Sequence, residues 1–351
     1  MATPAGVWER PRGEQRESAS APTPETGLLG VLRVAACLDG SELGERVIPH
    51  ALGIAGALGA PLTLLRVLEC APTGELPPDP LQWDIRRREA RGYLERLARE
   101  RCGENEILEA ELIEGQAAEQ ICLWAGKHQV DLTVLSTHGM GGRTDWSLSS
   151  TARKLVDRVP GSLLLVPTAA PAPGRVARYR RLLVPLDGSH RAESVLPLAA
   201  QLAAAHRAEL LIAHVVPVPE LTEIGPLEAE DLELRERLAR RNERVANEYL
   251  DRLRARLAAS DRPVRALVLR GGDVRSRLAR LIADEAVDLV VLSAHGRSGR
   301  SDVPCGDVAA FLVGNIAIPL LMVRPRPSRR HHRVATASHP EGIRLPSQAA
   351  P

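Results

Sequence analysis

Small residues and hydroxyls gather twice in this chain, and each gathering has the makings of an anion cradle. Residues 136–151 read STHGMGGRTDWSLSST, and residues 293–308 read SAHGRSGRSDVPCGDV. In the first stretch Ser136 and His138 close an apolar run and Gly139, Gly141 and Gly142 follow. The triplet Ser149, Ser150, Thr151 is expected to open a helix. Glycine lets backbone come close to a phosphate, and the unpaired N–H groups of a first helical turn add donors and partial positive charge. A flexible loop running into a serine-capped helix has the same composition, so the pattern by itself leaves both readings open. The chain contains neither GxxxxGK[ST] nor GxGxxG, which sets aside the P-loop and the dinucleotide fingerprint.

A carboxylate recurs with these loops. The tetrapeptide LDGS ends an apolar run twice, at Asp39 and at Asp187. Such a carboxylate can accept from a ribose hydroxyl or a base; it can equally cap a turn. Its return at the same place favours the ligand role. His138 and His295 recur in HG pairs, where they could reach phosphate or simply serve the packing of the loop. Cys305 stands just before the second helix start, a place where a thiol can become more acidic, although a quiet small residue is the simpler reading. No nucleophile, base and orienter occur at recognisable spacing. The chain therefore reads as a binding protein and not an enzyme.

These groups need a scaffold, and the sequence repeats one. CLDGSELGERVIP at 37 returns as PLDGSHRAESVLP at 185, so that Asp39 and Asp187 lie 148 positions apart. VDLTVLSTHG at 130 returns as VDLVVLSAHG at 287, and the extra nine residues fall in a long helical region between them. Matching segments in the same order argue for a duplicated domain. In each copy apolar runs alternate with helical spacing. Val47, Ile48, Ala51, Ala55 and Leu58 mark a helix over 43–58, and Ala117, Ala118, Ile121, Cys122 and Ala125 mark another. Val245, Tyr249, Leu253 and Leu257 mark the long helix of the second copy. Strands separated by helices imply right-handed crossovers and a doubly wound parallel sheet, whose ligands bind beyond the carboxyl ends of the strands. The expected organisation is an N-terminal disordered tail over 1–28, a first domain over 29–168, a Pro/Ala-rich linker over 169–179, a second domain over 180–326 and a disordered basic tail over 327–351.

Composition agrees with a parallel α/β protein. Hydrophobic residues make up 44% of the chain and Phe, Trp and Tyr only 2%, so Leu, Val, Ile and Ala must build the core. The net charge of +2 gives no field that would draw the protein to nucleic acid, and the run RPRPSRRHHR at 324–333 reads as a solvated tail. Five scattered cysteines show no metal spacing and suit reduced thiols. No apolar stretch approaches the 18 residues of a membrane span, and the N-terminal segment lacks an apolar signal core. The expectation is a cytoplasmic protein without membrane or specific nucleic-acid partners.

The repeated unit resembles the universal stress protein domain over roughly residues 31–168 and 180–325. Nucleotide-binding members of that family carry Gly-x-x-Gly, nine residues, then Gly-Ser or Gly-Thr. The first copy here has Ser136, Gly139, nine residues, then Ser149 and Ser150; the second has Ser293, Gly296, nine residues, then Gly306 and Asp307. The resemblance implies two tandem domains of the adenine nucleotide alpha hydrolase-like fold. Their last strands, SLLLVPT and PLLMVRP, would pair with each other, making one chain a pseudo-dimer, with a homodimer of chains as a further assembly. It also implies ATP, with Mg2+ as its companion, in a cleft. Asp39 would lie near ribose and base, Val67 would offer backbone groups to adenine, and Ser136, His138, Gly139, Gly142, Ser149, Ser150 and Thr151 would surround the phosphates. Asp187, Val215, Ser293, Gly296 and Gly306 are the second-copy counterparts, expected to bind more weakly.

The departures from the family pattern are unequal. Serine at 136 is still small. Serine at 149 matters if that position needs a positive φ, while its N–H and hydroxyl are expected to remain available. Asp307 stands where a phosphate-binding hydroxyl belongs. Two like charges about 4 Å apart cost on the order of 4 kcal/mol at an effective dielectric of about 20, against about 8 kcal/mol for a micromolar ligand. Arg297 and Arg300 would offset part of that. The first copy is thus the expected nucleotide site. The alternatives are an interaction scaffold that kept the fold and lost the ligand, or an enzyme with slow ATP hydrolysis.

Overall fold

The computed structural model describes residues 32–69, 79–101, 108–138, 148–170, 173–221, 228–258, 263–297 and 305–324. Gly139, Gly141, Gly142, Arg300 and both tails, 1–28 and 327–351, lie outside the described residues. The first copy runs β1 (Val34–Leu38), α1 (Glu42–Glu45), α2 (Val47–Leu58), β2 (Leu62–Leu68), α3 (Pro80–Arg101), β3 (Leu108–Glu114), α4 (Ala117–Lys127), β4 (Leu132–Ser136), α5 (Ser150–Arg158) and β5 (Ser162–Val166). The second repeats the order: β6 (Arg181–Pro185), α6 (His190–Glu193), α7 (Leu196–His206), β7 (Glu209–Val216), α8 (Ala229–Leu257), β8 (Val264–Arg270), α9 (Val274–Asp284), β9 (Leu289–Ser293), α10 (Asp307–Asn315) and β10 (Leu320–Val323).

All ten of these strands form one sheet in the order β3-β2-β1-β4-β5-β10-β9-β6-β7-β8. Every neighbouring pair is parallel except β5 and β10, which run antiparallel with Leu165 opposite Leu320 and Leu163 opposite Met322. The fold is therefore the expected one, two doubly wound halves joined through their last strands into an intrachain pseudo-dimer. Each half would otherwise end in an unpaired apolar edge, and pairing the two edges satisfies both sets of backbone groups at once.

Alternation along the strands sends side chains to two apolar layers. Val34, Ala36 and Leu38 join one with α2, α3, α7 and α8, and Ala35 joins the other with α4, α5, α9 and α10. Both layers run through both copies, so neither half has a core wholly its own. Some helices differ from the spacing read in the sequence. The helix expected over 43–58 is two: Arg46 sits between α1 and α2, and its guanidinium donates to the Thr168 carbonyl at 2.7 Å. On α8 the buried residues are Ala246, Leu250 and Leu253, and Val245 is exposed. The helix turns its small residue to the sheet because β7 and β8 lie close beneath it. On α4, Trp124 is buried beside Ile121 and Ala125, a core residue the apolar pattern did not supply. No described helix is long and apolar enough to cross a membrane.

Candidate functional site

Strand order reverses between β1 and β4 in the first copy and between β6 and β9 in the second, which is where doubly wound sheets open a crevice. Pairing of β1 with β4 ends at Ala36 and Val134, so Cys37 and Leu38 part from Leu135 and Ser136 at the strand ends. All four line a cleft of ≈ 450 Å³, within the usual range of about 300–1,000 Å³ for a small-molecule site. Of the residues singled out in the sequence, Asp39, Val67, Ser136, His138, Ser149, Ser150 and Thr151 all line it. Gly139 and Gly142 lie outside the described residues. The second cleft, ≈ 430 Å³, brings together Asp187, Val215, Ser293, Gly296 and Gly306 with His295, Arg297 and Asp307.

Asp39 is held by a tight turn. Its Oδ1 accepts from the Ser41 amide at 2.9 Å and the Ser41 hydroxyl at 2.6 Å. Gly40 makes the turn at φ +87, where a side chain would be strained and its Cβ would meet the Arg66 guanidinium. Asp187 repeats the arrangement with Ser189, and its Oδ2 accepts from the Arg297 amide at 2.6 Å. Burial pushes the Asp187 pKa up, but the bonds from Ser189 and Arg297 outweigh it and hold the carboxyl below its ordinary value.

Ser149 caps α5 at φ −59 and ψ 158, so no positive φ is required and serine fits without strain. Its counterpart Gly306 has φ −73 and ψ 164, and a Cβ there would meet nothing closer than 3.8 Å. The expectation that the N–H of Ser149 stays available is corrected. The N–H donates to the Thr137 carbonyl at 2.9 Å. The hydroxyl oxygen accepts from the Ala152 amide at 3.1 Å and keeps its O–H to donate. With it, the donors left at this helix start include the amides of Ser150 and Thr151, for which there is no partner among the described residues. Ser136 and Ser293 pin the loops alike, each hydroxyl donating to a histidine carbonyl: His138 at 2.7 Å and His295 at 2.8 Å. His138 Nδ1 lies 3.0 Å from the Thr137 hydroxyl, and its Nε2 is buried without a described partner.

Among the described residues the thiols Cys37, Cys122 and Cys305 are all shifted away from acidity. Burial, with Asp157 and Asp307 nearby, raises the Cys305 pKa despite the opposing Arg324, so the acidification considered at the helix start does not occur. Burial, with Cys122 adding to it, pushes Cys37 up to about 12. Sequence reasoning missed Arg66, Arg86 and Glu69 in the first cleft. Arg66 stacks over Tyr93 at 4.9 Å, and Glu69 accepts from the Ala117 amide at 3.1 Å, capping α4 from across the sheet. Tyr93 and Tyr249 are both pushed to higher pKa by burial and then by Glu45 and Glu193 respectively. Glu45 and Glu193 carry the same 148-residue offset as the aspartates, a signal present in the repeat. Among the described residues no group of three His, Cys, Asp or Glu side chains is placed to hold a metal ion.

With this geometry in view, comparisons with known proteins are informative. The sequence profile described as "Universal stress protein family" matches residues 31–167 and 178–324. A universal stress protein of Mycobacterium tuberculosis (strain ATCC 25618 / H37Rv) is 26% identical over 206 residues, 56% of this chain and 63% of that protein. A Mycobacterium bovis universal stress protein gives the same figures, so the match spans 63% of the length of these relatives. Among solved structures, a universal stress protein from Archaeoglobus fulgidus DSM 4304 superposes with a TM-score of 0.57 at 16% identity, covering 83% of this chain and 98% of that one. A putative universal stress protein from Pseudomonas aeruginosa UCBPP-PA14 gives 0.59 at 18%, covering 84% and 94%. At these identities the structural likeness is one of fold.

Proposed function

The chain belongs to the universal stress protein family, and from that premise we propose that it is a cytoplasmic regulatory module, not an enzyme, which takes an adenine nucleotide in its first cleft. Occupancy of that cleft biases the shape of the molecule or its choice of partner. The observation that carries this reading is the convergence of Asp39, Val67 and the Ser149–Thr151 helix start on one cleft. A carboxylate suited to ribose hydroxyls lies at one side, and open amides with two hydroxyls lie at the other, at the positive end of α5. Arg66 and Arg86 add charge of the right sign. ATP fits this donor set; Mg2+ would come with the phosphates, since the described residues supply no cage for it.

The test exploits the difference between the copies. Ser150 is the first residue of α5, as Asp307 is of α10. Calorimetric titration of the full chain with Mg-ATP is expected to show one site, and Ser150→Asp to weaken it at least tenfold. A chain that ignores millimolar Mg-ATP, or an affinity indifferent to Ser150→Asp, would sink the reading. The first of those results favours the nucleotide-free scaffold.

A further inference from the structure

We propose that the second cleft selects an uncharged adenine-type nucleoside, base and ribose without phosphate, so that the two halves of one chain sense different ligands. This rests on the nucleotide reading of the first cleft.

The argument runs position by position. Where the first cleft has Arg66, permanently charged, the second has His214, whose Nδ1 lies 2.8 Å from the Leu186 carbonyl. A carbonyl only accepts, so Nδ1 carries a proton and is occupied by the backbone. Where the first has Ser150 and Thr151, the second has Asp307 and Val308. Glu69 is matched by Pro217. Among the described lining residues, Arg66 and Arg86 balance Asp39 and Glu69 in the first cleft; Arg297 faces both Asp187 and Asp307 in the second.

At the start of α10 the exchanges of Ser150 and Thr151 for Asp307 and Val308 thus remove attraction for an anion and add repulsion, while Pro217 for Glu69, at another place in the cleft, removes one negative charge. Asp307 is the first residue of α10, so its own carboxylate supplies the negative charge that the positive end of the helix favours. A phosphate would have to displace or neutralise it. The remainder of the cleft keeps what the uncharged part of a nucleotide needs. Asp187 still presents a carboxylate at the mouth, fixed by Ser189 and the Arg297 amide. Gly296 is required for that: a Cβ there would fall 2.3 Å from Asp187 Oδ2. Behind it lie Ala213, Val215, Val274, Leu278 and Leu292, an apolar floor for a flat base.

The test is calorimetry on the full chain with adenosine and with Mg-ATP. The expected result is two adenosines but one ATP per chain, with one adenosine still binding when ATP is saturating. Asp307→Ser is expected to raise the ATP count to two and leave the adenosine count at two. If that variant loosens α10, Asp307→Asn keeps a polar helix start and answers the same question. ATP filling both clefts of the unsubstituted chain overturns the proposal. So does adenosine that only competes with ATP for one site, a result that leaves the nucleotide reading of the first cleft intact. Binding of neither ligand overturns both.

Discussion

Gly44 and Ala192 occupy the same place in the two copies, 148 positions apart. A Cβ at Gly44 would fall 2.2 Å from Asp39 Oδ1. The second copy carries that Cβ as Ala192 and still holds Asp187 through Ser189. Alanine in a helix is favoured over glycine by about 1 kcal/mol, which offsets part of the crowding. Gly44→Ala is therefore expected to keep the melting temperature within a few degrees while weakening nucleotide binding at the first cleft about tenfold. Thermal melts with and without ATP check it, and unaltered ligand stabilisation would refute the steric role given to Gly44.

Among the elements, β5 and β10 do more than complete the sheet. Arg324, directly after β10, is half-buried and sends its guanidinium back across the domain junction. It donates to the Val159 carbonyl at 2.7 Å and to the Val156 carbonyl, at the C-terminal end of α5. These are orphan carbonyls of a helix end, satisfied by a residue of the other copy. Hydrogen bonds to charged groups contribute about 1.5–3 kcal/mol each to stability, and the loss is partly recovered by water at an accessible helix end. Arg324→Gln is expected to lower unfolding stability by about 2 kcal/mol and to speed amide exchange in residues 156–160. Urea unfolding and hydrogen exchange measure the two effects. Because α5 also frames the first cleft, this contact joins the second copy to an element of that cleft.

For the molecule as a whole, the segment leading into the second copy is packed around Ala177 and Tyr179. Ala177 donates its amide to the Pro49 carbonyl at 2.8 Å, and Gly53 leaves room for the Ala177 carbonyl, which a Cβ would meet at 2.4 Å. Tyr179, 3% exposed, sits with its hydroxyl 2.9 Å from Nδ1 of His50, 5% exposed, and edge-on to His206 at 5.0 Å. Burial lowers the His50 pKa to about 4 from 6.5; burial, with Arg178 nearby, lowers that of His206 as well. The unfolded chain takes up these protons first. The stability is thus complete above pH 6.5 and lost as pH falls toward 4, by about 3 kcal/mol for His50. His50→Gln keeps a partner for Tyr179 without titrating, and it is expected to flatten urea-unfolding stability between pH 6.5 and 4. An equally steep profile in the variant would show that other groups govern the acid limb.

The pairing of the last strands came from the resemblance to a family, while the duplication, the strand–helix alternation, the two aspartates and the helix starts at 149 and 306 were all legible in the residues. Each is written locally, in apolar runs, helical spacing or a short repeated motif, and local pattern fixes element type and order. The tertiary structure decided how the polar groups are spent. Ser149 gives its amide to Thr137, Arg66 lies on Tyr93, His50 meets Tyr179 from 129 positions away, and Arg324 reaches Val159 from 165. No periodicity encodes such meetings. They arise where the sheet brings distant segments within hydrogen-bonding distance and buries their polar atoms, which must then find partners among whatever side chains the fold has placed beside them.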